Sequence, residues 1–197
     1  MIFDYPPWPA ERRHGPAGYT SVESFRPWLR DEFAFRCVYC LKREVWGQMA
    51  GEFEMDHFEP HSLAPHLTLD YLNLVYACRR CNLRKLNQRI EVPLPTLLLE
   101  FAKVEPDGWI VSDRTETRSL IRQLDLNCPM LQRWRVMWMR IVDLAWERDL
   151  ILYRELTGFP DNLPDLSLLR PPINTKPKGI EDSWHAKRVQ GRLPDEY

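Results

Sequence analysis

Four of the five cysteines stand in two pairs of identical spacing, Cys37-Val38-Tyr39-Cys40 and Cys78-Arg79-Arg80-Cys81. In a reducing compartment such pairs point to metal rather than to disulfides. Four thiolates give Zn²⁺ a closed tetrahedral site with no position left for substrate, so the zinc expected on Cys37, Cys40, Cys78 and Cys81 is structural. Buried core cysteines or a thiol redox pair are the competing readings; Cys128, outside both pairs, is expected to be a buried free thiol. Residues 41 to 77 separate the pairs, more chain than a zinc ribbon requires, and that insertion carries Glu54-Met55-Asp56-His57-Phe58-Glu59-Pro60 and then Asn73-Leu74. Asn82 follows the second pair directly, with Lys85 three residues on. The side-chain oxygens of Asp56 and Asn82 suit Mg²⁺ or Mn²⁺, which take oxygen ligands and keep positions for water and phosphate. Neighbouring strand residues face opposite ways, so Asp56 and His57 converge only where a strand ends, and Pro60 is consistent with that. Because Asn82 adjoins a zinc ligand, the zinc would fix where its helix starts and hold both halves of the second site in register.

Around these residues lies a run of cations, Arg79, Arg80, Arg84, Lys85 and Arg89, with no acid from 79 to 89. It reads either as a solvated helix face or as a surface for backbone phosphates, to which Arg79, Arg80, Arg84 and Lys85 are the candidate contacts. The whole chain of 197 residues has a net charge of −1, whereas an autonomous DNA binder is usually basic overall. Hydrophobic residues at 44% and charged ones at 28% are the composition of a soluble globular protein. No apolar run is long enough to span a membrane, and Met1 to Pro9 lacks the basic and apolar regions of a secretory signal, so a cytoplasmic location is expected.

The elements that would position the site can be read from periodicity and punctuation. Residues 1 to 20, rich in Pro and Gly, read as an extended arm. Ser21 to Arg36 reads as a helix leading into the first cysteine pair, interrupted or started late by Pro27. Phe53 to His57 and Leu72 to Ala77 read as strands, and Cys81 to Gln88 as a short helix. Pro93 and Pro95 mark a boundary, followed by a short strand at Trp109 to Val111 and a helix over Thr115 to Leu126. Met130 to Thr157 reads as one long helix whose Met130, Trp134, Met137, Ile141, Leu144 and Ile151 share a face assigned to the core. From Pro160 onward the chain reads as an irregular tail wrapped on the surface by Trp184. His61 and His66 sit near His57 in a loop, and Glu54 shares the Asp56 strand face but is expected to be exposed. His14 and His185 have no supporting context.

Taken in order, Cys-x-x-Cys, Asp-His-x-x-Pro, Asn-Leu and Cys-x-x-Cys-Asn-x-x-Lys resemble the HNH endonuclease family over Cys37 to Lys85. The resemblance implies an α+β protein with a small ββα-metal core and a four-cysteine zinc site, extended by mostly helical N- and C-terminal segments: 1–36 an arm and helix, 37–90 the nuclease core, 91–197 a helical region with a proline-rich tail. It implies His57 as general base, Asp56 and Asn82 as ligands of catalytic Mg²⁺ or Mn²⁺, Asn73 as the brace of the loop between the strands, and DNA as substrate. Leu124-Asp125-Leu126-Asn127-Cys128-Pro129 and the small size resemble HNH proteins of bacterial phage defence, which implies an ATPase or other defence-system partner. The alternative is a non-catalytic zinc module that binds nucleic acid or a protein through the arginine-rich pair.

Overall fold

The computed structural model describes residues 2–4, 11–47, 52–90 and 101–197. Strand β1 (Pro16–Ala17) pairs antiparallel with a strand near the other end of the chain, Pro16 opposite Asn174. Ser21 then accepts a hydrogen bond from the Glu23 N–H and caps a 3-10 turn over Val22–Phe25. That turn runs into α1 (Arg26–Glu32), with Pro27 in the first turn, where a missing N–H leaves no helical bond unmade. The helix thus starts late, at Arg26, and ends at Glu32, short of the expected Arg36, before Ala34 and Phe35 take φ of 47° and 58°. These two left-handed residues turn the chain into the first cysteine pair.

Strands β2 (Phe53–His57) and β3 (Leu74–Cys78) form an antiparallel hairpin, with Phe53 opposite Cys78 and His57 opposite Leu74. No loop separates β3 from α2 (Arg79–Lys85), because Cys78 is both the last strand residue and the residue preceding the helix. All five residues of β3 are buried, since both α1 and α2 pack on it. This is the ββα unit of an α+β protein.

Beyond it, β4 (Lys103–Val104) and β5 (Ile110–Val111) form a second hairpin. Its turn needs Gly108: φ is 85°, and a Cβ there would lie 2.5 Å from the Gln132 carbonyl oxygen. Next come α3 (Thr115–Gln123), α4 (Pro129–Arg148) and α5 (Leu150–Thr157). The single helix expected over Met130 to Thr157 is therefore two. Asp149 interrupts it, its carboxylate accepting from the N–H groups of Ile151 and Leu152 as an N-cap that starts α5 afresh.

The face expected to be core also needs correcting. Leu131, Arg135, Met139, Val142 and Ala145 are the buried row of α4, whereas Met130, Met137, Ile141, Leu144 and, on α5, Ile151 are exposed. Arg135 hides the true row from a hydropathy reading. It is fully buried because its guanidinium donates to the carbonyls of Gly108 (2.6 Å) and Leu126 (2.8 Å), joining the β4–β5 turn to the chain after α3.

The tail continues through β6 (Ile173–Asn174), the partner of β1, to α6 (Trp184–Val189). Trp184 fastens it to α1 by donating its backbone N–H to the Asp31 carboxylate and its indole N–H to the Asp31 carbonyl. One apolar cluster runs from Phe3 through Trp28, Tyr39, Leu74 and Leu126 to Leu166, drawing on all three segments distinguished in the sequence. The boundary at Pro93 and Pro95 and much of the N-terminal arm lie outside the described residues. Among the described residues, no helix is long and apolar enough to cross a membrane.

Candidate metal centre and active site

The first cysteine pair sits on a tight turn. The Cys37 N–H bonds the Lys42 carbonyl, the Leu41 N–H bonds the Cys37 carbonyl, and Leu41 adopts φ 61° to close it. A bond from the Val38 N–H to the Tyr76 carbonyl (2.9 Å) fixes this turn to β3. The second pair spans the junction of β3 and α2. The four sulfurs lie within 4.8 Å of one another, all buried, with Cys40 and Cys78 Sγ 3.7 Å apart. Tetrahedral Zn–S bonds of about 2.3 Å place sulfurs roughly 3.8 Å apart, so the cluster fits that ion. One buried knot of four thiols also differs from the partly exposed pair that redox chemistry uses. Within the cluster the other three thiols hold Cys78 well below the usual thiol range. Burial pushes Cys37 well above that range, and the neighbouring thiols do the same to Cys81. Cys128, expected to be buried, is half-buried and accepts from Arg80 Nη2 at 3.1 Å.

Along β2, Glu54 and Asp56 share the face that meets α2, and the helix offers Asn82 and Lys85 one turn apart. Asn82 Nδ2 donates to Glu54 Oε2 at 2.6 Å, while Lys85 Nζ donates to Asp56 Oδ1 at 2.9 Å and to the His57 carbonyl at 2.5 Å. Tyr39, between the first two cysteines, donates its hydroxyl to Asp56 Oδ2 at 2.6 Å. Burial pushes the Asp56 carboxyl up from the ordinary range, against the downward pull of Lys85 and the Tyr39 hydrogen bond. Two expectations change here. Lys85 is no phosphate contact, because it is 0% exposed and serves as counter-charge to a buried carboxylate. Glu54, expected at the surface, is half-buried on Asn82; its spacing of two from Asp56 was the available signal, as was the place of Tyr39 within a cysteine pair. Asp56 and Asn82 thus make their polar bonds to different partners, Asp56 to Lys85 and Tyr39, Asn82 to Glu54. Two carboxylates and an amide oxygen without sulfur are the ligand types a hard divalent cation takes, but here both Asp56 oxygens are engaged by Tyr39 and the Lys85 ammonium.

Removing the Lys85 charge should leave Asp56 buried without a cation. Lys85→Met is expected to cost about 3–5 kcal/mol in denaturant unfolding of zinc-loaded protein, and adding Asp56→Asn should recover part of it. A loss below about 1 kcal/mol would mean that water reaches the pair.

His57 ends β2 half-buried, with Nε2 3.0 Å from the Thr68 carbonyl oxygen. A carbonyl only accepts, so Nε2 carries the proton and Nδ1 keeps its lone pair. The His61 ring stands 6.2 Å away, centroid to centroid; His61 and His66 are exposed. Asn73 clamps the following loop: its Oδ1 accepts from the Glu59 N–H at 2.8 Å, and its Nδ2 donates to the carbonyls of Glu59 (3.1 Å) and Leu67 (3.3 Å). Asn73→Ala is expected to cost about 1–3 kcal/mol and to speed amide exchange at Glu59 while zinc stays bound. Unchanged exchange would show that the backbone holds this loop alone.

The arginines divide by partner. Arg80 is tied down, donating to the Asp125 carbonyl and Cys128 Sγ and so joining α2 to the chain after α3. Arg79 is 64% exposed and Arg84 55%, the latter paired with Asp125. Both line a cleft of about 830 Å³ between α2 and the start of α4, together with Lys42, Leu83, Met130 and Trp134. His14 is fully buried, its Nε2 2.8 Å from Asp31, and belongs to the α1 network rather than to this site. Compared with known families, residues 37–88 match the model described as HNH endonuclease. No curated protein matches the chain.

Proposed function

Starting from residues 37–88 as an HNH endonuclease module, we propose that this protein is a metal-dependent nuclease that hydrolyses phosphodiester bonds in DNA. The observation that carries the reading is His57: an imidazole at the end of the strand that also carries Glu54 and Asp56, its tautomer set by the Thr68 carbonyl. With Nε2 donating to Thr68, the lone pair left on Nδ1 is the group that accepts a proton from the attacking water. The water oxygen forms the new bond to phosphorus, the P–O3′ bond breaks, and the 3′ oxygen takes a proton from solvent. Asn73 acts as a positioning residue by holding the loop after His57. Asp56 and Asn82, with Glu54, would hold Mg²⁺ or Mn²⁺, which when bound supplies positive charge to the phosphate and the leaving oxygen. Arg79 and Arg84 offer exposed charge to backbone phosphates, and Arg80 and the buried Lys85 brace the helix that carries them.

DNA is the proposed substrate because none of these roles needs a ribose 2′-hydroxyl. The net charge of −1 supports a nuclease targeted by a partner, and the setting we propose is bacterial defence beside an ATPase or similar protein. A second reading, a non-catalytic zinc module for nucleic acid or protein, is favoured by one observation: both Asp56 oxygens already have partners in Tyr39 and Lys85. Matched DNA and RNA duplexes and single strands, incubated with zinc-loaded protein and Mg²⁺ or Mn²⁺, separate the readings. DNA cut to 5′-phosphate ends is expected; RNA cut alone would overturn the substrate, and binding without cleavage would favour the second reading.

A further inference from the structure

Helix α4 carries two apolar rows: the core takes the whole of one and, from the other, Trp134, which packs on Phe3 and Trp46. In the other, Met130 is 61% exposed, Met137 49%, Ile141 36% and Leu144 59%. With half-buried Trp134 these residues advance in alternate steps of four and three, the spacing of a seam between two helices rather than of scattered surface side chains. Along the solvent edge of that row stand Arg133, Arg140 and Glu147, each seven residues from the next and each exposed. The row ends abruptly, because α4 stops at Arg148 and Asp149 redirects the chain.

We propose that the C-terminal part of this row, Met137 to Leu144, is the contact between two copies of the chain, their α4 helices laid antiparallel with Ile141 of each beside Leu144 of the other. The edge charges select this occupant. In that pairing Arg140 of one copy stands beside Glu147 of the other, and the twofold axis repeats the pair. Arg133 then reaches past the end of the opposing helix, so no like charges meet. A parallel pairing would instead set Arg140 towards Ala145, which is buried in its own core. Met137 packs on the aliphatic stem of the other copy's Arg148, which keeps its charged end in water. The contact is isologous and closed, so association stops at two. It is independent of the nuclease reading, since Met137, Ile141 and Leu144 belong neither to the metal centres nor to the cleft lined by Arg79 and Arg84.

Sedimentation equilibrium on the zinc-loaded full chain tests it. A dimer is expected in the micromolar range. Leu144→Glu, at a site already exposed in the monomer, should weaken it at least about tenfold by placing two charges in the seam. Arg140→Glu should weaken it as well, and Arg140→Glu with Glu147→Arg should restore the wild-type dissociation constant, because the exchanged charges still meet. A wild-type chain that stays monomeric at roughly 100 µM overturns the proposal, as it would if a different protein covers this row. A dimer indifferent to Leu144→Glu, or a double exchange that fails to restore association, overturns it equally.

Discussion

His57→Ala is expected to lower the rate of DNA cleavage by about 10²–10⁴-fold while the protein stays folded and keeps its zinc. The size follows from the role. Deleting the imidazole removes the one proton acceptor at the end of β2 whose lone pair is held ready, and water has to attack unassisted. Stability should change little, because the side chain is half-buried and contributes one hydrogen bond, to the Thr68 carbonyl. His57→Gln separates chemistry from architecture: its amide can still donate to Thr68 but is no useful base at neutral pH, so it should be as inactive as alanine. Activity in either variant near the wild-type level would remove His57 from the reaction and point to another base, with His61 the nearest imidazole.

Stripping the zinc should have the largest effect on the fold. Structural zinc contributes on the order of 10 kcal/mol to small folded domains. Here the four sulfurs join the turn after α1 to the junction of β3 and α2. Chelation, or Cys81→Ser, is expected to cost at least about 5 kcal/mol and so to lower Tm by on the order of 10–20 °C. The loss should be smaller at lower pH, where the zinc-loaded fold has less binding energy to lose. Cys37 and Cys81 have thiols pushed above the usual range, and their protons must leave before the ion can bind, so acid favours release. Differential scanning fluorimetry with and without chelator between pH 6 and 8 reads this. A melting curve indifferent to chelation would mean that the apolar cluster holds the thiols together unaided.

The thiol cluster and the ββα order were legible because each rests on a local pattern: paired cysteines, alternating strand residues, and a breaker-free run after Cys78. What escaped the sequence depends on partners far along the chain. Lys85 looked like one more cation on a basic helix, and only the approach of Asp56 and Tyr39 shows why it is buried. Asn82 meets Glu54 because strand and helix face each other in one particular register, which spacing alone does not specify. On α4 two rows have helical period, and an arginine in the buried one, satisfied by two carbonyls, made the exposed row look like the core. The break at Asp149 did leave a trace, an aspartate ahead of Leu150-Ile151-Leu152, but a capping residue inside a long amphipathic run is masked by the run. The pairing of β1 with β6 involves two residues at each end of the chain and leaves no periodic signal.

Hydrolysis of DNA at the zinc-clasped strands and helix, as proposed, has a simple readout. Nicking of supercoiled plasmid by zinc-loaded wild-type protein, with Mg²⁺ or Mn²⁺ added and then chelated by EDTA, addresses it directly. Relaxed circles are expected to accumulate only when the divalent ion is present and to stop forming with His57→Ala. Plasmid left intact under every condition, or nicked equally by wild type and His57→Ala, would contradict it.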